Sequence, residues 1–402
     1  MSGRIYFDHS ATTPLDPRVL NAMLPFLDGS FGNPSSQHSE GRAARKAVEE
    51  ARAQVASLLG AAPSEIVFMA SGTESDNLAL VGTIRTRKSP GHIVTSAFEH
   101  PAVLETCRFL EQSGTQVTYL PVNRAGLVDP QNLRAALRPN TCLVSIMAAN
   151  NIVGTLQPVH ELAQIAHQHG ALFHTDAVQA AGKVPLDVAL FPVDLISLSA
   201  HKLHGPKGIG ALYVRAGTAL SSLVFGGGQE RGLRSATENV AGIVGFGVAA
   251  EIAREEMTRE TARLLQLRAR IVEGLRDIPQ AYLIGHPVER LPGHLCVGFA
   301  GQENAVGKLL HSLDEAGVAV SAGSACSSHH VSAPSSVLLA MGFDEERARG
   351  LLRVTLGRFN TSAEVERFLK ILRQAFASLE TVSHRQSSAS GARVQLEAVM
   401  AR

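Results

Sequence analysis

The 402-residue chain has little cysteine, no surplus of charge of either sign and no long apolar run. Its four cysteines, Cys107, Cys142, Cys296 and Cys326, stand far apart with no CxxC pair, which argues against a zinc site or a disulfide framework. Lys and Arg total 37 against 36 Asp and Glu, so the balance leaves no electrostatic footprint for nucleic acid or an anionic membrane. The longest apolar run, near 240–250, is too short to cross a bilayer, and the first residues carry no apolar targeting stretch. A cytoplasmic protein without a membrane partner is expected. What remains is a chain 45% hydrophobic and 18% charged, long enough for two domains or one large domain with an appendage.

Short apolar segments alternate with helical periodicity through the first half. Strands are predicted at 5–7, 66–69, 92–96, 117–120, 143–148, 171–174, 194–199 and 210–214, with helices at 19–27, 39–59, 74–85, 102–112, 132–137 and 160–169. Such alternation predicts an α/β fold with a mostly parallel sheet covered by helices on both faces. The second half changes character. A long helix over 240–275 precedes strands at 282–284, 295–299, 318–321 and 351–356, with helices at 303–316 and 361–379. This is a smaller α+β unit, which the N-terminal strand can join. The expected division is a large domain over 15–258, a small one from 1–14 with 259–382, and a flexible tail over 383–402.

In open parallel sheets ligands sit at the carboxyl ends of strands. The polar residues that follow the predicted strands are Ser71-Gly72-Thr73, His100, Asn150-Asn151, Asp176 with Gln179, and Ser199-Ala200-His201-Lys202. Thr73 or Asn151 alone reads better as a helix cap or loop residue, His100 alone as a surface or satisfied histidine, and Asp176 alone could cap a helix. Together, at one sheet end, they predict a site, and Gly72-Thr73 before a helix offers N–H groups to a phosphate. Lys202 lies at a strand end, held by the turn Leu203-His204-Gly205-Pro206-Lys207-Gly208. Alone it could be a solvated turn lysine; facing a cavity, its amine is fit to form a Schiff base. Arg353 lies inside a predicted strand, either exposed or buried with a partner. Cys107, Cys142 and Cys296 fall in apolar or helical patterns and read as core residues. Cys326 differs. The run Val320-Ser321-Ala322-Gly323-Ser324-Ala325-Cys326-Ser327-Ser328-His329-His330 is small and polar, which predicts a mobile loop with a reactive thiol.

Nearly the whole chain resembles the cysteine desulfurases of the class V aminotransferase group. The resemblance is carried by Tyr6-Phe7-Asp8-His9-Ser10-Ala11-Thr12-Thr13-Pro14, Phe31-Gly32-Asn33-Pro34-Ser35-Ser36, Ser71-Gly72-Thr73-Glu74-Ser75-Asp76-Asn77, His174-Thr175-Asp176-Ala177-Val178-Gln179, the Lys202 segment, Arg234-Ser235-Ala236-Thr237 and Gly323-Ser324-Ala325-Cys326. It implies a pyridoxal 5′-phosphate (PLP) enzyme of fold type I, and the long cysteine loop is similar to the branch serving iron–sulfur cluster assembly. By the same resemblance Lys202 would carry the cofactor and Asp176 would pair with its ring nitrogen. His100 would stack on the ring, and Asn151 and Gln179 would bond its hydroxyl side. Gly72, Thr73, Ser199 and His201 would hold the phosphate, joined by Thr237 from a neighbouring subunit. Arg353, with Asn33 and Asn151, would bind the carboxylate of L-cysteine, and Cys326 would receive its sulfur as a persulfide. A homodimer and a sulfur-acceptor protein such as an iron–sulfur scaffold follow as partners. The chain departs from its relatives at Ile152, where they commonly carry an acid, and at Ala149, where histidine is frequent. Another class V activity, such as selenocysteine lyase or aminotransferase, and a platform without turnover are the competing readings; intact Lys202, Asp176, His100 and Cys326 argue against the second.

Overall fold

The computed structural model describes residues 3–88, 90–322 and 333–379. Cys326, His329, His330 and the tail beyond 379 lie outside the described residues. After β1 (Ile5–Tyr6), helices α1 (Pro17–Leu27) and α2 (Ser39–Leu58) precede β2 (Ile66–Met69) and α3 (Gly72–Arg85). The chain then runs through β3 (His92–Ser96), α4 (Pro101–Gln112), β4 (Gln116–Leu120), α5 (Pro130–Ala136), β5 (Thr141–Ser145), α6 (Val159–Gln168), β6 (Leu172–Asp176), β7 (Leu195–Ser199) and β8 (Gly210–Val214). These strands form one seven-stranded sheet in the order β2-β8-β7-β6-β5-β3-β4. All neighbours are parallel except β8, which is antiparallel to both β2 and β7. Strands β3, β5, β7 and β8 are buried along their whole length, the mark of a sheet covered on both faces. β4, at the edge, is only half-buried.

Helix α7 (Val240–Leu275) leads into the second unit. There β9 (Ala281–Leu283), β10 (His294–Phe299), α8 (Val306–Glu315), β11 (Val318–Ala319), α9 (Ser336–Ala340), α10 (Glu345–Arg349), β12 (Leu351–Thr355) and a closing helix over 362–379, α11, follow in order. β12-β10-β9 form an antiparallel sheet, and β1 pairs in parallel with β11, Ile5 beside Val318. Ile5 and Phe7 accordingly sit in the second core with Leu267, Val297, Leu352 and Phe368. α7 serves both cores: Ile243, Phe246 and Ala249 pack into the first, Leu264, Leu267 and Ile271 into the second. Cys107, Cys142 and Cys296 are buried, as their apolar settings predict.

Most elements lie where the hydrophobic pattern puts them, and the differences have local causes. α3 starts at Gly72 instead of 74, because Ser71 is its N-cap and its hydroxyl accepts from the Glu74 N–H at 3.1 Å. α5 starts at Pro130, since the Asp129 carboxylate caps it through the Gln131 N–H at 2.8 Å. β5 stops at Ser145, short of 148; the Met147 N–H turns aside to the Glu99 carboxylate at 3.0 Å.

One buried ion pair pins the outer helix layer to the sheet. The Arg52 guanidinium on α2 donates to both oxygens of Glu230, at 2.7 and 2.8 Å, and stacks 4.8 Å from the Phe68 ring centroid. Glu230 also accepts from the Phe68 N–H at 2.8 Å. Arg52 also pairs with the half-exposed Glu49 at 3.0 Å, so removing Glu230 takes away its one buried counter-charge. Glu230→Ala is expected to cost about 3–5 kcal/mol in urea unfolding, and the paired change Arg52→Met with Glu230→Met less than that.

Candidate active site

The carboxyl ends of β2, β6 and β7, the starts of α3 and α4, and the loop after β1 enclose a cavity of about 430 Å³. Lys202 reaches it from a 3₁₀ turn that continues β7. That turn is clamped from the N-terminal loop: Thr13 N–H and hydroxyl both donate to the His201 carbonyl, at 3.1 and 2.8 Å, and the Thr13 hydroxyl accepts from the His204 N–H at 2.9 Å. Gly205 is required where the chain folds back, because a Cβ there would lie 2.8 Å from the Ala200 carbonyl oxygen. The Lys202 amine donates to the Ser10 carbonyl, and to the Ala11 carbonyl at 2.7 Å.

Around this amine the sheet end supplies contrasting chemistry. The His100 ring lines the cavity while its Nδ1 accepts from the Ala102 N–H at 3.1 Å and caps α4. That bond assigns the proton of the neutral ring to Nε2. Gly72 and Thr73 bring the first-turn N–H groups of α3 to the wall, and Ser199 and His201 stand beside them. His201 is held down at about 4 by burial, with Lys202 and Lys207 adding repulsion, so its ring is neutral and Nδ1 meets the Thr12 hydroxyl at 3.1 Å. Asn151 and Gln179 line the opposite side, the latter donating from Nε2 to the Ser10 carbonyl at 3.0 Å.

Asp176 is buried and its Oδ1 accepts from the Val178 N–H at 2.9 Å. Burial raises its carboxyl, opposed by His100, the Val178 bond and Lys202. Behind it lie two further acids. Burial, then repulsion from Asp176, pushes Asp76 well up, and burial pushes Glu99 up to about 8 although Ser96 and Met147 donate to it. His174, bonded to the hydroxyls of Ser145 and Ser197 at 2.8 and 3.0 Å, is held down at about 3 by burial. Of these three acids, Asp176 is the one at which His100 and Lys202 act against burial.

Arg353 is 1% exposed, so the buried alternative holds. Its guanidinium forms an ion pair with Asp8 at 2.7 Å and donates to the Asn151 carbonyl at 3.0 Å, and its Nε has no partner. Ten of the residues expected at the site thus meet at one cavity: Gly72, Thr73, His100, Asn151, Asp176, Gln179, Ser199, His201, Lys202 and Arg353. Asn33 and Thr237 do not line it. Asn33 is exposed and its side chain caps the Ser35 N–H at 2.9 Å; Thr237 is exposed on the single chain. Residue patterns missed the roles of Asp8, Ser10 and Asp76, although all three fall inside the motifs that carry the resemblance, and missed Glu99, whose only signal was its place beside His100.

The Glu99 carboxyl yields a signed expectation. Its folded value of about 8 lies above the ordinary 4.5, so between these the folded state keeps a proton that the unfolded state has lost, and stability falls as pH rises through that window. Glu99→Gln, which mimics the protonated acid, is expected to gain on the parent protein across the same window by up to about 1.4 kcal/mol per pH unit. Chemical denaturation at the two ends of the window reads the difference; a constant gap between the two proteins would show that Glu99 ionises alike in both states.

Comparison with known proteins now gives this geometry a lineage. The Aminotransferase class-V family pattern matches residues 5–368. A cysteine desulfurase IscS of Methanosarcina thermophila is 47% identical over 380 residues, covering 94% of this chain and 93% of the relative. A solved structure titled NifS-like protein superposes with a TM-score of 0.87 at 42% identity, covering 93% of this chain and all of the other. Another, titled SspA in complex with cysteine, reaches a TM-score of 0.78 at 39% identity over 89% of this chain and all of the other. This chain belongs to the class-V aminotransferases, a family of PLP-dependent enzymes, and within them to the cysteine desulfurases.

Proposed function

We propose that the chain converts L-cysteine to L-alanine, holds the released sulfur on Cys326 as a persulfide, and passes it to an acceptor protein of iron–sulfur cluster or thio-cofactor assembly. The observation that carries this reading is one cavity holding an amine, a buried carboxylate, an imidazole and a buried guanidinium, in a chain with a Gly-Ser-Ala-Cys loop.

The residues present fit PLP. Lys202 offers the amine for attachment, Asp176 a buried carboxylate for the ring nitrogen, and His100 a ring to stack. Asn151 and Gln179 offer donors for the ring hydroxyl, and the first turn of α3 with Ser199 and His201 makes a cradle for the phosphate. Gly72 suits that cradle because a Cβ there would lie 2.6 Å from Val178 Cγ2. When bound, PLP supplies an electron sink for the bonds at the substrate Cα.

The chain's own groups do the rest. Arg353 receives the substrate carboxylate in a planar, charge-assisted contact, with Asn151 beside it and Asn33 contributing as the site closes. Lys202 moves the proton at the substrate Cα, and His100 serves as acid or base from Nε2. The Cys326 thiolate attacks the substrate sulfur. Overall the carbon–sulfur bond breaks, a sulfur–sulfur bond forms at Cys326, and the thiol proton ends on the methyl group of alanine. Residues 15–258 carry the cofactor site, while 1–14 and 259–382 supply Arg353 and the sulfur-bearing loop. Thr237 reaches the phosphate of a second copy in a homodimer, which would also cover exposed Phe31 and Phe225, each 80% accessible on the single chain. No described helix is long and apolar enough to cross a membrane.

Sulfide and alanine release from L-cysteine, measured beside the visible absorption of the bound cofactor, tests this reading. Cys326→Ala is expected to keep the colour and lose sulfur transfer by at least about 100-fold; normal turnover in that variant would sink the persulfide step. Arg353→Lys keeps the charge without the planar fork, and is expected to raise KM for L-cysteine about 10- to 100-fold with kcat less affected. An unchanged KM would remove Arg353 from the substrate site.

A further inference from the structure

Lys183 is absent from the cavity wall but bonded to a residue that forms it. It follows Gly182, which takes φ +68°; a Cβ there would lie 2.7 Å from Leu203 Cδ2 and 2.8 Å from Ala253 Cβ, so the backbone entering Lys183 is fixed. The Lys183 N–H donates to the Ala180 carbonyl at 3.0 Å, and its carbonyl accepts from the Thr261 hydroxyl on α7 at 3.2 Å. Its side chain turns inward and Nζ donates to Gln179 Oε1 at 3.4 Å. Gln179 Nε2 donates to the Ser10 carbonyl at 3.0 Å, and the same oxygen accepts from Lys202 Nζ. Two lysine amines are thus joined through one amide and one carbonyl oxygen.

The charges around Lys183 come from several elements. His9 in the loop after β1, His201 and His204 in the lysine turn and His294 on β10 are all held below the usual imidazole value, chiefly by burial, with Lys183 adding to the effect. These rings are neutral neighbours. Lys202 is the cation that acts on Lys183; burial first and that repulsion second bring the Lys183 amine down to about 7. The nearby acids are engaged elsewhere: Asp8 with Arg353, Asp16 with Arg18 and Arg358, and Asp176 facing His100 and Lys202. Lys183 itself forms no ion pair among the described residues.

A lysine must be deprotonated to act as a nucleophile or base, and a second cation nearby favours that form. The Ser10 and Ala11 carbonyls both accept from Lys202, so its amine is seated by two backbone oxygens. We propose that Lys183 is a positioning residue for Lys202: it orients Gln179, steadies the Ser10 carbonyl that seats the reactive amine, and with its positive charge favours the deprotonated form of the nitrogen at Lys202. This rests on the proposed function only in taking Lys202 as the cofactor-bearing residue.

Three substitutions separate charge from contact. Lys183→Arg keeps a permanent charge, Lys183→Gln keeps a donor without charge, and Lys183→Met has neither. The readout is the visible band of the purified holoenzyme during a pH titration, which follows the proton on the Lys202 nitrogen. The midpoint is expected to be lowest in the arginine variant, intermediate in the parent and highest in the glutamine and methionine variants, with about one pH unit between the arginine and glutamine variants. The methionine variant is also expected to release cofactor faster than the glutamine variant. Equal midpoints in the arginine and glutamine variants overturn the proposal, and this comparison stands even if the methionine variant fails to fold. No cysteine turnover is needed. A holoenzyme with the expected ordering that releases no alanine sinks the desulfurase reading alone, whereas a parent protein that takes up no cofactor overturns both.

Discussion

The Ser10 carbonyl ties the halves of this molecule together at the site. It accepts from Lys202 Nζ, on the turn after β7, and from Gln179 Nε2, in the loop after β6. The same residue is held from the other unit, its N–H donating to the Thr355 hydroxyl at 3.0 Å and its hydroxyl bonded to His294 Nδ1 at 3.2 Å. His294 Nε2 reaches the Ile152 carbonyl at 2.9 Å; a carbonyl only accepts, so Nε2 carries the proton and Nδ1 accepts from Ser10. One serine near the N-terminus therefore connects β6, β7, β10 and β12. The short pairing of β1 with β11 is what delivers it there.

Burial sets the charge state of almost every group in this layer, and it does so by neutralising. His9, His174, His201, His204 and His294 are all pushed below the imidazole range, while Asp76 and Glu99 are pushed above the carboxylate range. Asp176, raised by burial as well, has His100 and Lys202 acting the other way, and the Arg353 guanidinium faces Asp8. A buried ion is tolerated only with such compensation, so the neutral neighbours are as much a part of the site as the charged ones.

The strand and helix pattern was legible because burial on both faces of the sheet leaves continuous apolar runs, and the site was legible because polar residues interrupt those runs at one end. Nine of the expected site residues converge on the cavity for that reason, and the tenth, Arg353, comes from β12 of the other sheet. What was not legible depends on partners distant in sequence. Asp8 and Arg353 are 345 residues apart, and neither periodicity nor composition links them. Glu99 and Lys183 belong to no periodic pattern; only the folded chain shows that Glu99 is buried and that Lys183 reaches Gln179. The early end of β5 has the same origin, since it is a distant carboxylate that draws the Met147 N–H away. Asn33 and Thr237 stand apart from the cavity, both exposed on the single chain.

Helix α7 runs unbroken for 36 residues, about 54 Å at 1.5 Å per residue. The stretch that crosses between the cores, from Ala253 to Leu264, contains neither glycine nor proline. A helix of this kind can curve gently, but a sharp kink in it would break its own hydrogen-bond ladder and disturb both cores at once. The floor that bears Lys202 and the strand that bears Arg353 are thus geared together, and swinging one unit against the other is a costly way to admit a small amino acid.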